Sequence, residues 1–195
     1  MLDANKIEFI IYCEEVGNSM SRLRIEMIKN DTQLSAFDCD NSSINMLIKE
    51  SYCATLFKQD CVYTVHIDGI IVGCYMLRLI QISGLSDEYS SAIFGSKFAA
   101  MKIQFLAVNK NLQRKGIGTL ILERAMRQIK DYSGSLPIRY ILIDALVEKI
   151  PWYTSSGFFG YKTDETPRGQ ISCTTRMYYD LIDKEAIDQY MDTIV

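Results

Sequence analysis

The feature that most constrains this chain is a strand that runs directly into a glycine-opened helix. Lys102 to Val108 is an apolar strand candidate, and Asn109 to Lys115 is polar. Gly116 and Gly118 open a helix on which Ile117, Ile121, Ala125, Ile129 and Tyr132 recur on one face. Ser133-Gly134-Ser135 and Pro137 end that helix. The first N–H groups of a helix have no internal acceptor, and the helix dipole adds partial positive charge there. Glycine lets the backbone approach a ligand closely, and Arg114 and Lys115 supply full charges. Such a junction suits an anion, in particular a pyrophosphate.

Two familiar phosphate loops do not fit. The dinucleotide fingerprint needs a third glycine where Ile121 stands, and the Gly-Lys-Ser/Thr tripeptide of the P-loop does not occur. The segment Gln113-Arg114-Lys115-Gly116-Ile117-Gly118, after a strand ending Leu106-Ala107-Val108, resembles the Gln/Arg-x-x-Gly-x-Gly/Ala coenzyme A signature of the GNAT acetyltransferases. Downstream, Trp152-Tyr153-Thr154-Ser155-Ser156-Gly157-Phe158 looks like the Tyr-x-x-x-Gly-Phe element that comes late in GNAT domains, in the right order and at the right distance.

The resemblance spans roughly residues 60–160. It implies an α/β (α+β) fold, with a mixed central sheet whose middle strands splay apart and whose faces carry helices. It implies acetyl-CoA as cosubstrate, no metal, and direct transfer of the acetyl group to an amine acceptor. The main chain of Leu106, Ala107 and Val108 would receive the pantetheine arm. The N–H groups of Arg114, Lys115, Gly116, Ile117, Gly118 and Thr119 would receive the pyrophosphate, with Gln113 at the loop entrance. Val108 N–H would donate to the thioester carbonyl. Tyr153 would act as general acid toward the sulfur, since an ordinary phenol pKa of about 10 keeps it protonated at neutral pH.

A narrower likeness lies upstream. Leu34-Ser35-Ala36-Phe37-Asp38-Cys39-Asp40, before a helix over Ile44–Phe57, resembles the Phe-x-Cys-Gly opening of toxin-type GNAT enzymes, which acetylate the amino group of aminoacyl-tRNA. Here Asp40 replaces the usual glycine, and the phrase from Asp144 to Tyr153 is one residue short of theirs. A toxin with tRNA and an antitoxin as partners is therefore the second reading. A non-catalytic acyl-CoA-binding module is the third.

Charge bears on these alternatives. With 21 Lys and Arg against 24 Asp and Glu, the net charge is −3, which disfavours a basic nucleic acid-binding face. Six cysteines lack any C-x-x-C pair and accompany one histidine, so ordinary zinc spacing is absent. Several sit in apolar runs, as Cys74 does, and read as small buried hydrophobes in a reducing compartment. No signal-peptide pattern opens the chain and no apolar run is long enough to span a bilayer. The expectation is a cytoplasmic protein with one domain over 1–195, residues 1–20 forming an N-terminal extension and 183–195 a tail helix.

Elsewhere the patterns are local. Residues 1–20 fit a helix or a strand, whereas Leu23, Ile25 and Met27 alternate as a strand. Residues 62–79 read as a hairpin about Asp68-Gly69. Residues 83–96 read as a loop which, with the C-terminal tail, would wall the acceptor pocket. Arg139 to Val147 reads as a buried strand, Pro151 to Gly157 as a short helix, Thr174 to Leu181 as a last strand and Glu185 to Ile194 as a terminal helix. The general base is unassigned: Asp144 and Glu148 near the end of a strand read first as solvated carboxylates. Gln104 cannot be a base, and His66 is expected to face solvent. Tyr178-Tyr179, with Trp152 and Phe158-Phe159, read as core or as the surface of a homodimer.

Overall fold

Asp68 and Gly69 carry φ angles of 50° and 84°, the left-handed pair that a tight hairpin turn needs. They join β3 (Cys61–Ile67) to β4 (Ile70–Ser83). The two strands pair antiparallel from Cys61↔Leu77 to Ile67↔Ile70, with an irregularity between Val65 and His66. The turn is tied to β2 (Met20–Met27): Arg22 N–H donates to Asp68 Oδ1 at 2.9 Å, and Asp68 N–H donates to the Arg22 carbonyl at 3.1 Å.

The computed structural model describes residues 6–12, 20–83, 97–161 and 174–194. They divide into two units, Met1–Leu79 with Ile103–Arg127, and Ile80–Lys102 with Gln128–Val195. β4 and β5 (Lys97–Val108) contribute to both.

In the first unit the strand order is β1-β2-β3-β4-β5. β1 (Lys6–Tyr12) settles the helix-or-strand alternative at the N-terminus in favour of a strand, antiparallel to β2 from Lys6↔Glu26 to Tyr12↔Met20. A short 3-10 turn, Asp31–Leu34, fills the polar stretch and is capped by Asn30. Helix α1 (Ser42–Leu56) starts at Asn41, whose side chain accepts from Ile44 N–H. It lays Ile48 onto Val62, Cys74, Met76, Phe105 and Ala107. Each fully buried aliphatic side chain there is worth about 1.5–3 kcal/mol. Arg78 grips Asp60 through both oxygens, at 2.5 and 2.6 Å, and Asp60 is buried. Helix α2 (Ile117–Ser133) begins in this unit and buries Ile121, Leu122, Ala125 and Met126.

His66 departs from expectation. It is buried, with Nε2 3.0 Å from Thr64 Oγ1 and 3.3 Å from Glu26 Oε1. β3 is an inner strand of this sheet, and its residues from Val62 to His66 are all buried. Alternation therefore cannot send the imidazole to solvent. Burial depresses its pKa, and Arg24 adds to the effect. The cysteines divide. Cys39 and Cys74 are buried as expected, whereas Cys53 and Cys61 are exposed. Cys13 and Cys173 lie outside the described residues.

In the second unit the order is β4-β5-β6-β8-β7. β6 (Ile138–Leu146) pairs antiparallel with β8 (Thr174–Asp180), and β7 (Phe159–Gly160) pairs with β8 through Phe159↔Tyr178. Ile82, Ala100, Tyr140 and Leu142 form its core with Phe98 and Tyr178. Tyr140 meets both of those rings edge-on at 5.8 and 5.9 Å. β5 begins five residues before the predicted Lys102, because Phe98 and Ala100 bury side chains in a stretch whose small residues disguise a strand. Helix α3 (Ile150–Ser155) carries Pro151 in its first turn, and Gly157 at φ 87° closes it. Helix α4 (Lys184–Ile194) is capped by Asp183, which accepts from Ala186 N–H. Apart from Ser83, which ends β4, the 83–96 loop lies outside the described residues. Among the described residues no helix is long and apolar enough to cross a membrane.

Candidate functional site

Both ends of the glycine loop are fixed by main-chain pairing. At the end of β5, Asn109 N–H donates to the Val72 carbonyl at 2.9 Å. Asn109 then caps a single 3-10 turn, Lys110–Leu112, its side chain accepting from Asn111 N–H. At the far end, Leu120 N–H donates to the Gly116 carbonyl at 3.1 Å, the first i to i−4 bond of α2. The main-chain N–H groups ahead of Leu120 stand outside that ladder. Between these anchors Arg114 has φ 61° and Gly116 φ 76°. A Cβ on Gly116 would meet nothing within 4 Å, and Gln113, Arg114, Lys115 and Gly116 are exposed. The glycine is thus required by backbone conformation rather than by crowding. Two left-handed residues, two exposed cations and a helix start together make a curved cationic turn open to solvent. Its chemistry fits a phosphate group.

Leu106 and Val108 are half-buried and Ala107 is buried on β5 just before the turn. Gln113 does something the sequence did not announce. Its Nε2 donates to the Cys39 carbonyl at 2.8 Å and to the Val108 carbonyl at 3.2 Å. It thereby reaches the segment that precedes α1, where a further set of contacts converges. Asp38 accepts from Lys110 Nζ at 2.9 Å, from Asn45 Nδ2 at 2.7 Å and from Asp40 N–H at 2.9 Å. Lys110 N–H donates to the Asp38 carbonyl at 2.9 Å. Asn45 Oδ1 accepts from Cys39 N–H and Cys39 Sγ. The Lys110 ammonium, then the Asp40 N–H and the Asn45 amide, hold the Asp38 carboxyl well below the usual carboxylate range. Asp38, Asn45 and Lys110 were not singled out from sequence. Lys110 and Asp38 are 72 residues apart, and no local pattern links them.

Asp40, where the toxin-type motif carries glycine, has φ 62°. The position demands the left-handed region, and aspartate is among the few non-glycine residues that enter it readily. The sequence departure is a conservative one at the level of the backbone.

Tyr153 belongs to the second unit. It is 7% exposed, its ring 4.6 Å from Trp152 and 5.7 Å from Phe158. Burial alone pushes its phenol well above the ordinary value. The aromatic cluster is real and extends to Tyr179, 5.8 Å from Phe158. Asp144 corrects an expectation. It is not a solvated carboxylate but the centre of a three-strand ionic row, 2.7 Å from Lys102 Nζ and 2.9 Å from Arg176 Nε. Burial raises its pKa, but hydrogen bonds from Arg176 and Lys102 outweigh it and leave the carboxyl below its usual range. That makes a weak base. Glu148 is exposed, as expected. No group of three or more metal-ligating side chains occurs among the described residues.

A model of the acetyltransferase (GNAT) family matches residues 37–158, which include the glycine loop and Tyr153. No curated protein sequence matches the chain. Among solved structures, AtaT complexed with acetyl-methionyl-tRNAfMet is 19% identical with a TM-score of 0.67, over 87% of this chain and 99% of that one. A tyrosine-to-phenylalanine mutant of KacT is 21% identical with a TM-score of 0.67, over 86% and 98%. AtaTR bound with acetyl-CoA is 19% identical with a TM-score of 0.61, over 87% and 98%. At these identities the likeness speaks for the fold. With a family model covering more than half its length, the chain belongs to the acetyltransferase (GNAT) family, enzymes that draw their acetyl group from acetyl-CoA.

Proposed function

We propose that the chain transfers the acetyl group of acetyl-CoA directly to an amine, and that the turn from Gln113 to Thr119 receives the pyrophosphate. The observation that carries this reading is the backbone of that turn, with Arg114 and Gly116 both left-handed immediately ahead of the first helical bond of α2. Acetyl-CoA supplies an activated thioester. The N–H groups of Arg114, Lys115, Gly116, Ile117, Gly118 and Thr119 bind phosphate oxygens, and Leu106, Ala107 and Val108 offer main-chain groups to the pantetheine arm. Val108 N–H donates to the thioester carbonyl oxygen, the kind of fixed donor that carries much of acyl-transfer catalysis. Tyr153 holds a proton for the leaving sulfur. Burial raises the phenol pKa and so keeps the proton on oxygen at neutral pH, the form a general acid needs.

The acceptor reading we favour is the α-amino group of an aminoacyl-tRNA. Two observations support it. Asp40 stands at the motif's glycine position and takes a left-handed conformation that glycine enters freely, and the similar structures include AtaT complexed with acetyl-methionyl-tRNAfMet. The net charge of −3 asks that any tRNA contact be local, made by clustered cations rather than by the whole surface. The deciding experiment incubates the protein with radiolabelled acetyl-CoA and either a panel of small amines and peptides or bulk charged tRNA. Acid-precipitable label that is lost on deacylation of the tRNA supports the toxin reading. Label on a small amine with none on tRNA removes it.

A further inference from the structure

We propose that Gln113 is a positioning residue rather than a ligand of the cofactor. With Asp38, Asn45 and Lys110 it would form a brace that holds the phosphate-binding turn in its binding conformation. The proposal rests on the placement of acetyl-CoA given above. A carboxamide has two N–H donors, both on Nε2. In Gln113 that nitrogen serves two main-chain carbonyls, Cys39 and Val108. A pyrophosphate presents only acceptors, so the side chain cannot donate to it without giving up one of these bonds.

The bonds it makes fix two peptide planes. The Val108–Asn109 peptide is held on one side by Gln113 and on the other by the Val72 carbonyl. The Cys39–Asp40 peptide is held on one side by Gln113 and on the other by Asp38 Oδ1. Asp38 returns to the same turn through Lys110, by side chain and by main chain. The left-handed Arg114 follows directly after Gln113. The brace would therefore carry part of the conformational cost of the turn before any ligand arrives. It would also account for glutamine and arginine as alternatives at the first motif position. Both are planar heads with at least two N–H donors, which lysine and glutamate are not.

The experiment measures coenzyme A binding by calorimetry and, separately, amide hydrogen exchange of the ligand-free protein. The variants are Gln113→Met, Gln113→Arg and Asp38→Asn. Gln113→Met should weaken binding about 10-fold, the scale of one or two lost hydrogen bonds. Gln113→Arg should recover most of that loss. Asp38→Asn gives the sharper sign. Removing a negative charge beside a site for a polyanion should tighten binding by simple electrostatics, whereas loss of the brace weakens it several-fold. In the ligand-free Gln113→Met protein, amides from Asn109 to Gly116 should exchange faster, with exchange in β2 and β3 unchanged. Unaltered affinity in Gln113→Met, or tighter binding in Asp38→Asn, overturns the proposal. If Gln113→Met does not fold, Gln113→Glu, equal in size and without donors, takes its place. Failure of the wild type to bind coenzyme A would overturn the cofactor placement instead, and the ligand-free exchange would still judge the brace.

Discussion

Gly73 on β4 faces the Ala107 carbonyl on β5 with no room for a side chain. A Cβ built on Gly73 would stand 2.6 Å from that oxygen and would also overlap Ile121 Cδ1. The isoleucine tip could rotate, but the carbonyl belongs to a paired strand and cannot. Gly73→Ala should therefore destabilise by about 1–3 kcal/mol, the usual scale of overpacking in a filled core. For a chain of this size that lowers the melting temperature by roughly 2–10 °C. A thermal melt of the ligand-free variant reads it directly, and an unchanged melting temperature would refute the close approach of β4 to β5 here.

Tyr153 offers a kinetic prediction with a definite pH signature. Tyr153→Phe keeps the ring contacts with Trp152 and Phe158 and deletes only the proton donor. Turnover should fall at least ~10-fold, a floor set below the ~10²–10⁴ that general acid catalysis typically supplies, while affinity for coenzyme A stays nearly intact. Because burial raises the phenol pKa, the wild-type rate should show no descending limb through the ordinary tyrosine range near pH ~10. Equal turnover numbers for the two proteins would take Tyr153 out of the reaction.

The parts of the fold that could be read from the sequence were those fixed by neighbouring residues. The Asp68-Gly69 turn and the Pro151-to-Gly157 helix rest on local backbone chemistry and appear where their residues put them, and the helix expected over Ile44–Phe57 is present but starts two residues earlier, at Ser42. The glycine loop was legible for the same reason. What escaped was set by distant partners. His66 reads as a surface residue on an alternating strand, yet it is buried, with its imidazole against Thr64 and Glu26, the latter 40 residues earlier. Asp144 looked solvated because its two cations come from Lys102 and Arg176, 42 and 32 residues away. The motif places Gln113 at the entrance of a ligand loop, whereas its amide turns inward to Cys39, 74 residues earlier.

Asp144 carries a stability prediction whose sign can be fixed. Its folded-state pKa lies below the unfolded value, so the native state prefers the ionised form. That contribution is fully present above the unfolded carboxylate pKa of about 3.9 and is lost as pH falls through the folded value. Asp144→Asn should thus be less stable than wild type at pH 7 and should lose that disadvantage progressively below pH ~4. Chemical denaturation at several pH values provides the comparison. A deficit that is constant across the acid range would mean that the ionic row with Lys102 and Arg176 contributes nothing through charge.

The cofactor site itself is tested by a melt with and without excess acetyl-CoA, on the wild type and on Gly116→Glu. Ligand at ~100 times its dissociation constant should stabilise by ~2.7 kcal/mol, a rise of roughly 5–10 °C for a domain of this length. Gly116 sits at φ 76° with open space around it. A glutamate there fits sterically but strains the backbone and presents a carboxylate to the incoming phosphates. The variant should lose a little intrinsic stability, about 1–2 kcal/mol for a non-glycine left-handed residue, and most of the ligand-induced shift. The two effects separate because the first appears without ligand and the second only with it. A wild-type shift that survives in Gly116→Glu would move the phosphate away from this turn, whereas no shift in either protein at millimolar ligand would leave the turn as a helix start alone.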